Sequence, residues 1–482
     1  MDKSLKEKTV SSLIWSFIDK GGQQVLQFVF LFILAIFLSK DEVGLVAVLA
    51  IFMAIANILQ ESGFSSALIR KKDADEADFS TIFYFNISIS IACYLILFFA
   101  APWIAKFYNN ESILTDLSRF LFLAFVFNAF GIIQNVHLIK KMDFKTNARI
   151  SLAASFVSGS VATVMAYLGY GVWSLAVQQV LQAFLRSSLL WIFVKWRPKT
   201  AFMMDRLKAM YGYSVKLLFN SIFGQISKNL TSVIMGKRFL FGDAGNYSYA
   251  NKFGEIPQSV IASSLSSVIL PLLSNLEDET EKRLKVFRKI VRVISFVCFP
   301  LAVFTFIAAD SIVLALLQEK WAGVIPMLRI VAVGTSVLPL LYALTSLLQA
   351  IGKSGLLLSM EFTRNLITIL VLIVTSQFGI GYMLWGVSIM AILTFVGEYY
   401  IVGRMVNYRI FDVLKDVFPY IFLACVSFLP FYFLSVELIE NHFVRLILQA
   451  LPGSVIYFVL AKALGSKVLD DLLTIMRGKK LD

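Results

Sequence analysis

Long apolar segments constrain this chain more than any other feature of its sequence. Three of them are Ile89–Ala101, Leu121–Ile133 and Leu366–Thr375, and none contains a charged residue. In lipid, a segment can satisfy its own backbone only as a helix or as part of a closed barrel. Barrel strands are about ten residues long and alternate between apolar and polar side chains, which these segments do not. The sequence therefore predicts helices that span a membrane.

The composition supports the same interpretation. The chain has 482 residues, of which 58% are hydrophobic and 16% are charged, whereas soluble domains are roughly 25% charged. A soluble protein of this length would lack the charged side chains needed to cover its surface. The net charge of +13 does not indicate nucleic-acid binding, because the basic residues lie between apolar segments, where they set the orientation in the membrane.

The sequence predicts no metal site, cofactor or enzyme active site. Cys93, Cys298 and Cys425 lie within apolar segments and are typical of small buried side chains. The two histidines, His137 and His442, are predicted on opposite sides of the membrane. The glycine-rich loop with lysine that binds nucleotide phosphates is missing from the sequence. We therefore expect a protein that is not an enzyme.

About fourteen segments are long enough to cross a membrane, which takes roughly 20 apolar residues per helix. The predicted spans are residues 11–38, 43–69, 80–105, 113–139, 147–168, 172–195, 211–236, 245–274, 286–309, 324–351, 355–378, 381–404, 417–436 and 443–463. The predicted fold class is therefore an all-α polytopic membrane protein.

The basic residues predict the orientation of these spans. Lysine and arginine cluster in every second loop, for example at residues 70–72, 140–149 and 282–289, and are sparse in the loops between. Because basic residues favour the cytoplasmic side, both termini are predicted in the cytoplasm, and the chain in the inner membrane of a bacterium. The lysines ahead of the first span are typical of a signal peptide, but no cleavage site follows. We therefore expect that span to remain as the first helix.

An internal repeat divides the chain into two related halves. Residues 62–70 (SGFSSALIR) resemble the segment SSLSSVILP that follows 201 residues later, and the same separation joins Gly44 to Gly245. Residues 168–177 resemble the segment 210 residues later. Matches in the same order at nearly constant separation are typical of repeated architectures.

The repeat predicts two six-helix lobes. The N-terminal lobe comprises residues 1–195, a cytoplasmic linker follows at 196–210, and the C-terminal lobe comprises residues 211–406. Residues 407–482 add two transmembrane helices and a cytoplasmic tail. Each lobe has an even number of helices, so both enter the membrane from the same side. Parallel repeats of this kind occur in secondary transporters, with the substrate site between the halves.

Polar side chains gather in the first two spans of each half. Charged residues inside a membrane are costly and usually face a cavity or a partner. Lys20, Gln24 and Gln27 are spaced i, i+4 and i+7 and therefore share one face of a helix. The predicted substrate-binding residues are Lys20, Gln24, Gln27, Lys216, Asn220, Lys228, Asn251 and Lys252. The residues predicted for ion coupling are Asp19, Glu61 and Glu255.

Together these residues predict a hydrated, cationic cavity between the lobes. Lysine is a flexible point charge that suits phosphate, so an anionic or pyrophosphate-bearing substrate is expected. A second interpretation stays open, since Lys20, Lys216 and Lys228 could extend to the membrane interface from near helix ends. Arg364 and Glu361, three residues apart, are expected to pair with each other.

Five segments resemble a known family of transporters. They are GFSSALIR at 63–70, GYGVWSLAVQQ at 169–179, GNYSYANK at 245–252, VILPLLS at 268–274 and EKWAGVIP at 319–326. Their order resembles the polysaccharide transporter branch of the MOP exporter superfamily, which contains the Wzx-type flippases of O-antigen and other polymers.

The resemblance implies fourteen helices in two lobes and transport by alternating access. The implied substrate is an undecaprenyl-pyrophosphate-linked oligosaccharide, moved from the inner to the outer leaflet for lipopolysaccharide or exopolysaccharide assembly. The implied partners are this polyprenyl-pyrophosphate-linked oligosaccharide, membrane lipids and polysaccharide polymerase machinery, with H⁺ or Na⁺ as the coupling ion.

Three alternatives stay open. A multidrug exporter of the same superfamily would carry organic cations and should have an acidic cavity, against the excess of lysine found here. A membrane glycosyltransferase or polysaccharide ligase should have a large extracytoplasmic loop, which the sequence lacks. The third alternative is a lipid scramblase of low selectivity.

Overall fold

The computed structural model describes residues 3–61, 64–71, 73–255, 269–276, 279–466 and 468–470. Residues 3–10, 13, 61, 66, 70, 209–220 and 434–438 are described by their backbone alone. Part of the predicted eighth span, residues 256–268, lies outside the described residues. The contacts of the chain divide it into a first unit, Met1–Gly245, and a second unit, Asn246–Asp482.

Ten helices begin within the first unit. They are α1 (Lys3–Phe37), α2 (Lys40–Glu61), α3 (Phe64–Arg70), α4 (Glu76–Phe107), α5 (Ile113–Leu121), α6 (Leu123–Lys140), α7 (Phe144–Tyr167), α8 (Val172–Phe193), α9 (Met204–Arg238) and α10 (Phe241–Gly254). Helix α4 begins at an Asp75 N-cap, whose side chain accepts from the backbone N–H of Asp78.

Eight further helices follow in the described part of the second unit. They are α11 (Thr280–Ile307), α12 (Ala309–Leu316), α13 (Val324–Thr335), α14 (Leu338–Ala350), α15 (Ser354–Thr375), α16 (Ile380–Val406), α17 (Ile410–Leu438) and α18 (His442–Ala463). A short 3₁₀ turn, Glu319–Trp321, precedes α13. Residues 269–274 are also helical, and no described residue is in a β-strand.

The predicted fold class, an all-α membrane protein, is confirmed. Among the described residues, eleven helical segments are long and apolar enough to cross a membrane. Helices α8 and α9 have 22 and 35 residues and are long enough, but they are more polar than those eleven. The total of fourteen spans therefore stays a prediction.

The internal repeat is visible in the helix boundaries. Helices α1 and α9 have 35 residues each, and their ends are separated by 201 residues. Helices α2 and α10 also begin 201 residues apart, at Lys40 and Phe241. The separation found in the sequence is thus the separation of equivalent helices.

Helix breaks and packing repeat in the same way. The predicted fourth span is broken at Phe122, between α5 and α6, and the predicted tenth span is broken at Ser336 and Val337, between α13 and α14. In the first unit α4 packs on α6, α6 on α8 and α7 on α8; in the second unit α11 packs on α13, α13 on α16 and α15 on α16. The third to sixth spans of each half therefore share one packing pattern.

The hairpins that follow the fifth span of each half also match. Gly169 and Gly379, which the sequence repeat aligns, both have positive φ, +83° and +116°. Glycine adopts this left-handed conformation without the steric cost that other residues incur, which explains why both hairpins carry it.

The N-terminal ends of α2 and α10 touch through two glycines. A Cβ atom on Gly44 would lie 1.8 Å from the carbonyl oxygen of Phe241, and a Cβ on Gly245 would lie 2.0 Å from that of Lys40. Each of these contacts is the image of the other under the 201-residue repeat. A contact in which i meets j and j meets i is the signature of a two-fold axis. We call residues 40–44 with 241–245 the outer contact.

The capping of α2 and α10 follows the same symmetry. The carboxylate of Glu42 accepts from the backbone N–H of Ser39 at 2.7 Å, and that of Asp243 accepts from the N–H of Leu240 at 3.2 Å. Both carboxylates satisfy an N–H group at a helix start and favour the positive end of the helix dipole. The two helices thus enter the outer contact with equivalent starts.

Helix α9 packs against α2 and α4 within the first unit. The repeat instead makes α9 the first helix of the second half, which is why the predicted C-terminal lobe begins at residue 211. The two units are defined by contacts in one conformation, whereas the two lobes are defined by the sequence relation between their helices. The lobe boundaries at 195 and 211 and the C-terminal segment 407–482 stay predictions.

Replacement of Gly44 by alanine is expected to destabilise the protein. The added Cβ would overlap a backbone carbonyl, which cannot rotate away, and overpacking of this kind costs about 1–3 kcal/mol. Gly397→Ala is the matched control, because a Cβ on this helical glycine meets nothing within 4 Å. Thermal unfolding of the two variants in detergent measures the difference. Equal midpoints for the two variants would contradict the close contact.

Candidate functional site

The predicted site residues fall in both units. Asp19, Lys20, Gln24, Gln27 and Lys228 belong to the first unit, and Asn251, Lys252 and Glu255 to the second. The side chains of Glu61, Lys216 and Asn220 lie outside the described residues. The convergence of these residues on one cavity stays a prediction.

Helix α1 packs on α7 through small residues. A Cβ on Gly22 would lie 2.8 Å from Cδ2 of Leu152, and a Cβ on Gly159 would lie 2.3 Å from the ring of Phe30. The two helices therefore approach closely along this face of α1.

The polar stripe of α1 lies on a different face. At 3.6 residues per turn, Lys20, Gln24 and Gln27 fall within about 60° of one another, and Gly22 lies on the opposite side of the helix. Lys20 and Gln27 are exposed and Gln24 is partly exposed. The rest of the protein therefore leaves most of this stripe uncovered.

The distance of each lysine from the end of its helix or span bears on whether it lines a cavity or extends to the membrane interface. The apolar span of α1 begins at Ile14, and Lys20 lies six residues, about 9 Å, beyond it. Lys228 is exposed and lies ten residues, about 15 Å, from the end of α9 at Arg238. A lysine side chain is too short to reach the interface from that depth, so snorkelling explains Lys228 poorly.

Asp19 has polar neighbours within the first unit. Gln23 Nε2 donates to Asp19 Oδ1 at 2.6 Å. The charges of Arg186 and Lys20 also act on this carboxylate. Arg186 on α8 was not among the predicted site residues. Its position as a charge inside an apolar span was a signal that could have placed it there.

In the second unit, two of the segments that carry the family resemblance meet. The rings of Tyr249 and Trp321 are 4.3 Å apart, and a Cβ on Gly323 would lie 2.4 Å from Asn246 Nδ2. The segments 245–252 and 319–326 are therefore one packing unit. Packing between the two segments explains why these residue types occur in them.

The same helix carries the second set of candidate residues. Asn251 Nδ2 donates to Glu255 Oε1 at 3.1 Å. Lys252 Nζ lies 5.8 Å from the centre of the Tyr249 ring, within the range of a cation–π contact. Tyr249 thus joins the predicted site residue Lys252 to Trp321.

Other charged residues of the second unit join helices to one another. Asp416 on α17 accepts from Arg288 at 2.8 Å, from Arg292 at 2.7 Å and from the hydroxyl of Tyr408 at 2.8 Å. Burial raises the pKa of the Tyr408 phenol, and the Asp416 carboxylate raises it further, so the hydroxyl stays a donor. These contacts join α17 to α11, so we assign these residues a structural role.

Arg364 has a partner that sequence spacing does not predict. Its Nη1 donates to Glu398 Oε1 at 3.0 Å, across α15 and α16. The expected pairing with Glu361 on the same helix is therefore not the full account. Since the pair joins two helices, it fixes α15 against α16.

Comparison with known proteins places these features in a family. The sequence profile of a family described as "Polysaccharide biosynthesis protein" matches residues 33–326, which is more than half of the chain. The succinoglycan biosynthesis transport protein ExoT of Rhizobium meliloti (strain 1021) is 26% identical over 497 aligned residues, covering 100% of this chain and 98% of ExoT.

Solved structures share the fold. The lipid II flippase MurJ in an inward closed conformation matches with a TM-score of 0.77 and 15% identity, over 96% of this chain and 100% of that chain. An inward-facing multidrug resistance transporter of the MATE family matches with a TM-score of 0.60 and 17% identity, over 79% and 94%. At these identities the likeness shows the fold alone, and one fold serves different cargoes.

Removal of the Arg364 side chain is expected to destabilise the protein. Glu398 is 8% exposed, and breaking a buried pair by removing one partner typically costs about 3–5 kcal/mol. We expect Arg364→Leu to lower the thermal midpoint in detergent and Arg364→Leu with Glu398→Leu to restore most of it. A double variant no more stable than the single variant would contradict the pairing.

Proposed function

This chain belongs to the polysaccharide biosynthesis protein family, and we propose that it is a flippase for polyprenyl-pyrophosphate-linked oligosaccharides. It carries these lipids from the inner to the outer leaflet of a bacterial inner membrane by alternating access. Both termini lie in the cytoplasm in this proposal, as the basic loops predict. The product serves the assembly of lipopolysaccharide or exopolysaccharide.

One observation carries the proposal beyond family membership. Lysines lie inside predicted spans, and the rest of the protein leaves much of their surface uncovered at Lys20 and Lys228. A pyrophosphate head group requires such cations once it leaves water. Gln24, Gln27 and Asn251 offer hydrogen bonds to sugar hydroxyls. The polyprenyl tail stays in the lipid.

The comparisons support the same substrate class. ExoT is named for transport in succinoglycan biosynthesis, and MurJ is named as a lipid II flippase. The name of ExoT refers to biosynthesis rather than to drug export, whereas the solved structures, which include a multidrug transporter, support only the fold. We extend this role to the present chain as part of the proposal.

Two alternatives are less well supported. A multidrug exporter of the same fold would take organic cations, yet the candidate site holds four lysines, Lys20, Lys216, Lys228 and Lys252, against three carboxylates. A glycosyltransferase or ligase would need a large extracytoplasmic segment for catalysis. The described connections on that side are short, as at residues 38–39, 168–171 and 376–379.

The outer contact fits alternating access. In the predicted topology, α1 leaves the cytoplasm and α2 begins on the outer side, so Gly44 and Gly245 close the extracytoplasmic end. Release of substrate to the outer leaflet requires the two glycines to separate. Asp19, Glu61 and Glu255 are the proposed sites at which H⁺ or Na⁺ binding drives this change. Polysaccharide polymerase machinery is the proposed partner that receives the product.

Replacement of Lys228 by alanine is expected to reduce flipping about tenfold or more, which corresponds to the loss of about 1.4 kcal/mol of interaction with phosphate. Lys20→Ala and Lys252→Ala should act in the same direction. Lys237→Ala is the matched control, because Lys237 donates to Asn109 at the outer end of α9. The assay is the exposure of lipid-linked sugar on the outer leaflet of proteoliposomes. Normal flipping by all three site variants would dismiss the cationic site.

A disulfide across the outer contact is expected to stop flipping. A Cβ on Gly242 would lie 2.8 Å from Asp41 Oδ1, so the substitutions Asp41→Cys and Gly242→Cys place two thiols close together. Oxidation should block flipping and reduction should restore it, in a background with Cys93, Cys298 and Cys425 replaced by alanine. Unchanged flipping by the oxidised protein would show that the outer contact does not open.

A further inference from the structure

The segment that joins the predicted lobes is bound to α4 through its backbone. The N–H groups of Lys199 and Thr200 lie 3.2 and 3.5 Å from Ser80 Oγ, and that of Met203 donates to Thr81 Oγ1 at 3.2 Å. Ser80 and Thr81 are fully buried. A mobile linker would leave its N–H groups to water, so this segment behaves as part of the first unit.

Aromatic side chains hold the beginning of the same segment. Trp196 Nε1 donates to the carboxylate of Glu76, at 2.9 and 3.1 Å from the two oxygens. The ring of His137 stacks on Phe79 at 4.3 Å and lies 5.3 Å from the ring of Trp196. These contacts join three parts of the chain more than fifty residues apart.

The first turn of α9 is held by ion pairs. Arg206 lies 3.0 Å from Asp75 and 3.6 Å from Asp78, and Lys71 lies 2.6 Å from Asp78. Asp78 is fully buried, so withdrawal of its cations would leave a buried charge poorly compensated. The N–H of Asp78 and the Arg206 guanidinium lower the pKa of Asp75, which keeps this partner charged.

The hydrophobic core continues into the first turn of α9. Leu207 is 7% exposed and belongs to a cluster with Phe79, Ile82 and Phe83 of α4. Separation of α9 from α4 at this end would expose that cluster, break the ion pairs and leave the hydroxyls of α4 without their backbone donors. At the other end of α9, a Cβ on Gly236 would lie 2.3 Å from Cγ1 of Val48 on α2.

We propose that residues 194–207 are a permanent anchor, which holds the cytoplasmic end of α9 to α4 throughout the transport cycle. The hinge between the two halves then begins at residue 208, and α9 pivots or bends about its anchored end. This inference rests on the proposed function, since it concerns the motion of a flippase. The sequence predicts only that this segment is a linker, whereas the proposal makes it a permanent attachment to α4.

A chemical link across the anchor tests the proposal. Arg206 and Asp75 are 42% and 48% exposed, so Arg206→Cys and Asp75→Cys can be joined by a short bifunctional thiol reagent that replaces the lost ion pair. The background again has Cys93, Cys298 and Cys425 replaced by alanine. We expect the linked protein to flip lipid-linked sugar at a rate within about twofold of the unlinked protein, because hinge motion lies elsewhere. A tenfold loss that cleavage of the link reverses would overturn the anchor.

The outer pair Asp41→Cys and Gly242→Cys serves as the control in the same assay. Blocked flipping there, with normal flipping at the anchor, supports the proposal. If the protein without cysteine substitutions flips no lipid-linked sugar in the same assay, the proposed function fails, and a second measurement still decides on the anchor. Amide hydrogen exchange of the purified protein should protect Lys199, Thr200 and Met203 as strongly as the core of α4. Exchange at the rate of an exposed loop would overturn the anchor.

Discussion

Two backbones meet at Gly44 and Gly245, and the close approach of the first turns of α2 and α10 depends on this contact. No side chain fits at either position, so the helices α2 and α10 can approach until carbonyl oxygens touch the partner helix. Because each contact is the image of the other, the local two-fold axis passes through it. The equal lengths and spacing of α1 and α9 follow from the same axis.

Much of this arrangement could be predicted from the sequence, for identifiable reasons. Apolar segments predict helices because lipid offers the backbone no other partner. The separation of Gly44 from Gly245 predicts equivalent helix starts because small residues are required wherever backbones approach closely. Gly169 and Gly379 likewise mark equivalent hairpins, since both have positive φ. The confirmed features are those that a local chemical requirement fixes.

Other features depend on tertiary contacts that no local pattern encodes. The break at Phe122 lies in a run of apolar residues without glycine or proline beside it. Arg364 pairs with Glu398, 34 residues away, and Trp196 bonds Glu76 across 120 residues. Helical spacing predicts neighbours three or four residues apart and is silent on partners from other helices. For the same reason, the polar stripe of Lys20, Gln24 and Gln27 could be predicted, but not the charge of Arg186 acting on Asp19.

The charges of the chain therefore divide into three groups with different physical roles. Loop lysines and arginines are predicted to orient the helices, ion pairs such as Arg288 with Asp416 join them, and the lysines inside predicted spans are the proposed contacts to substrate. On helix α9, Arg206 joins the helix to α4 through its ion pairs, and Lys228 belongs to the proposed site. In the proposed mechanism, a helix held at its cytoplasmic end moves its middle lysines with respect to α2 when the outer contact opens. In this proposal, α9 couples the position of its lysines to the opening of the outer contact.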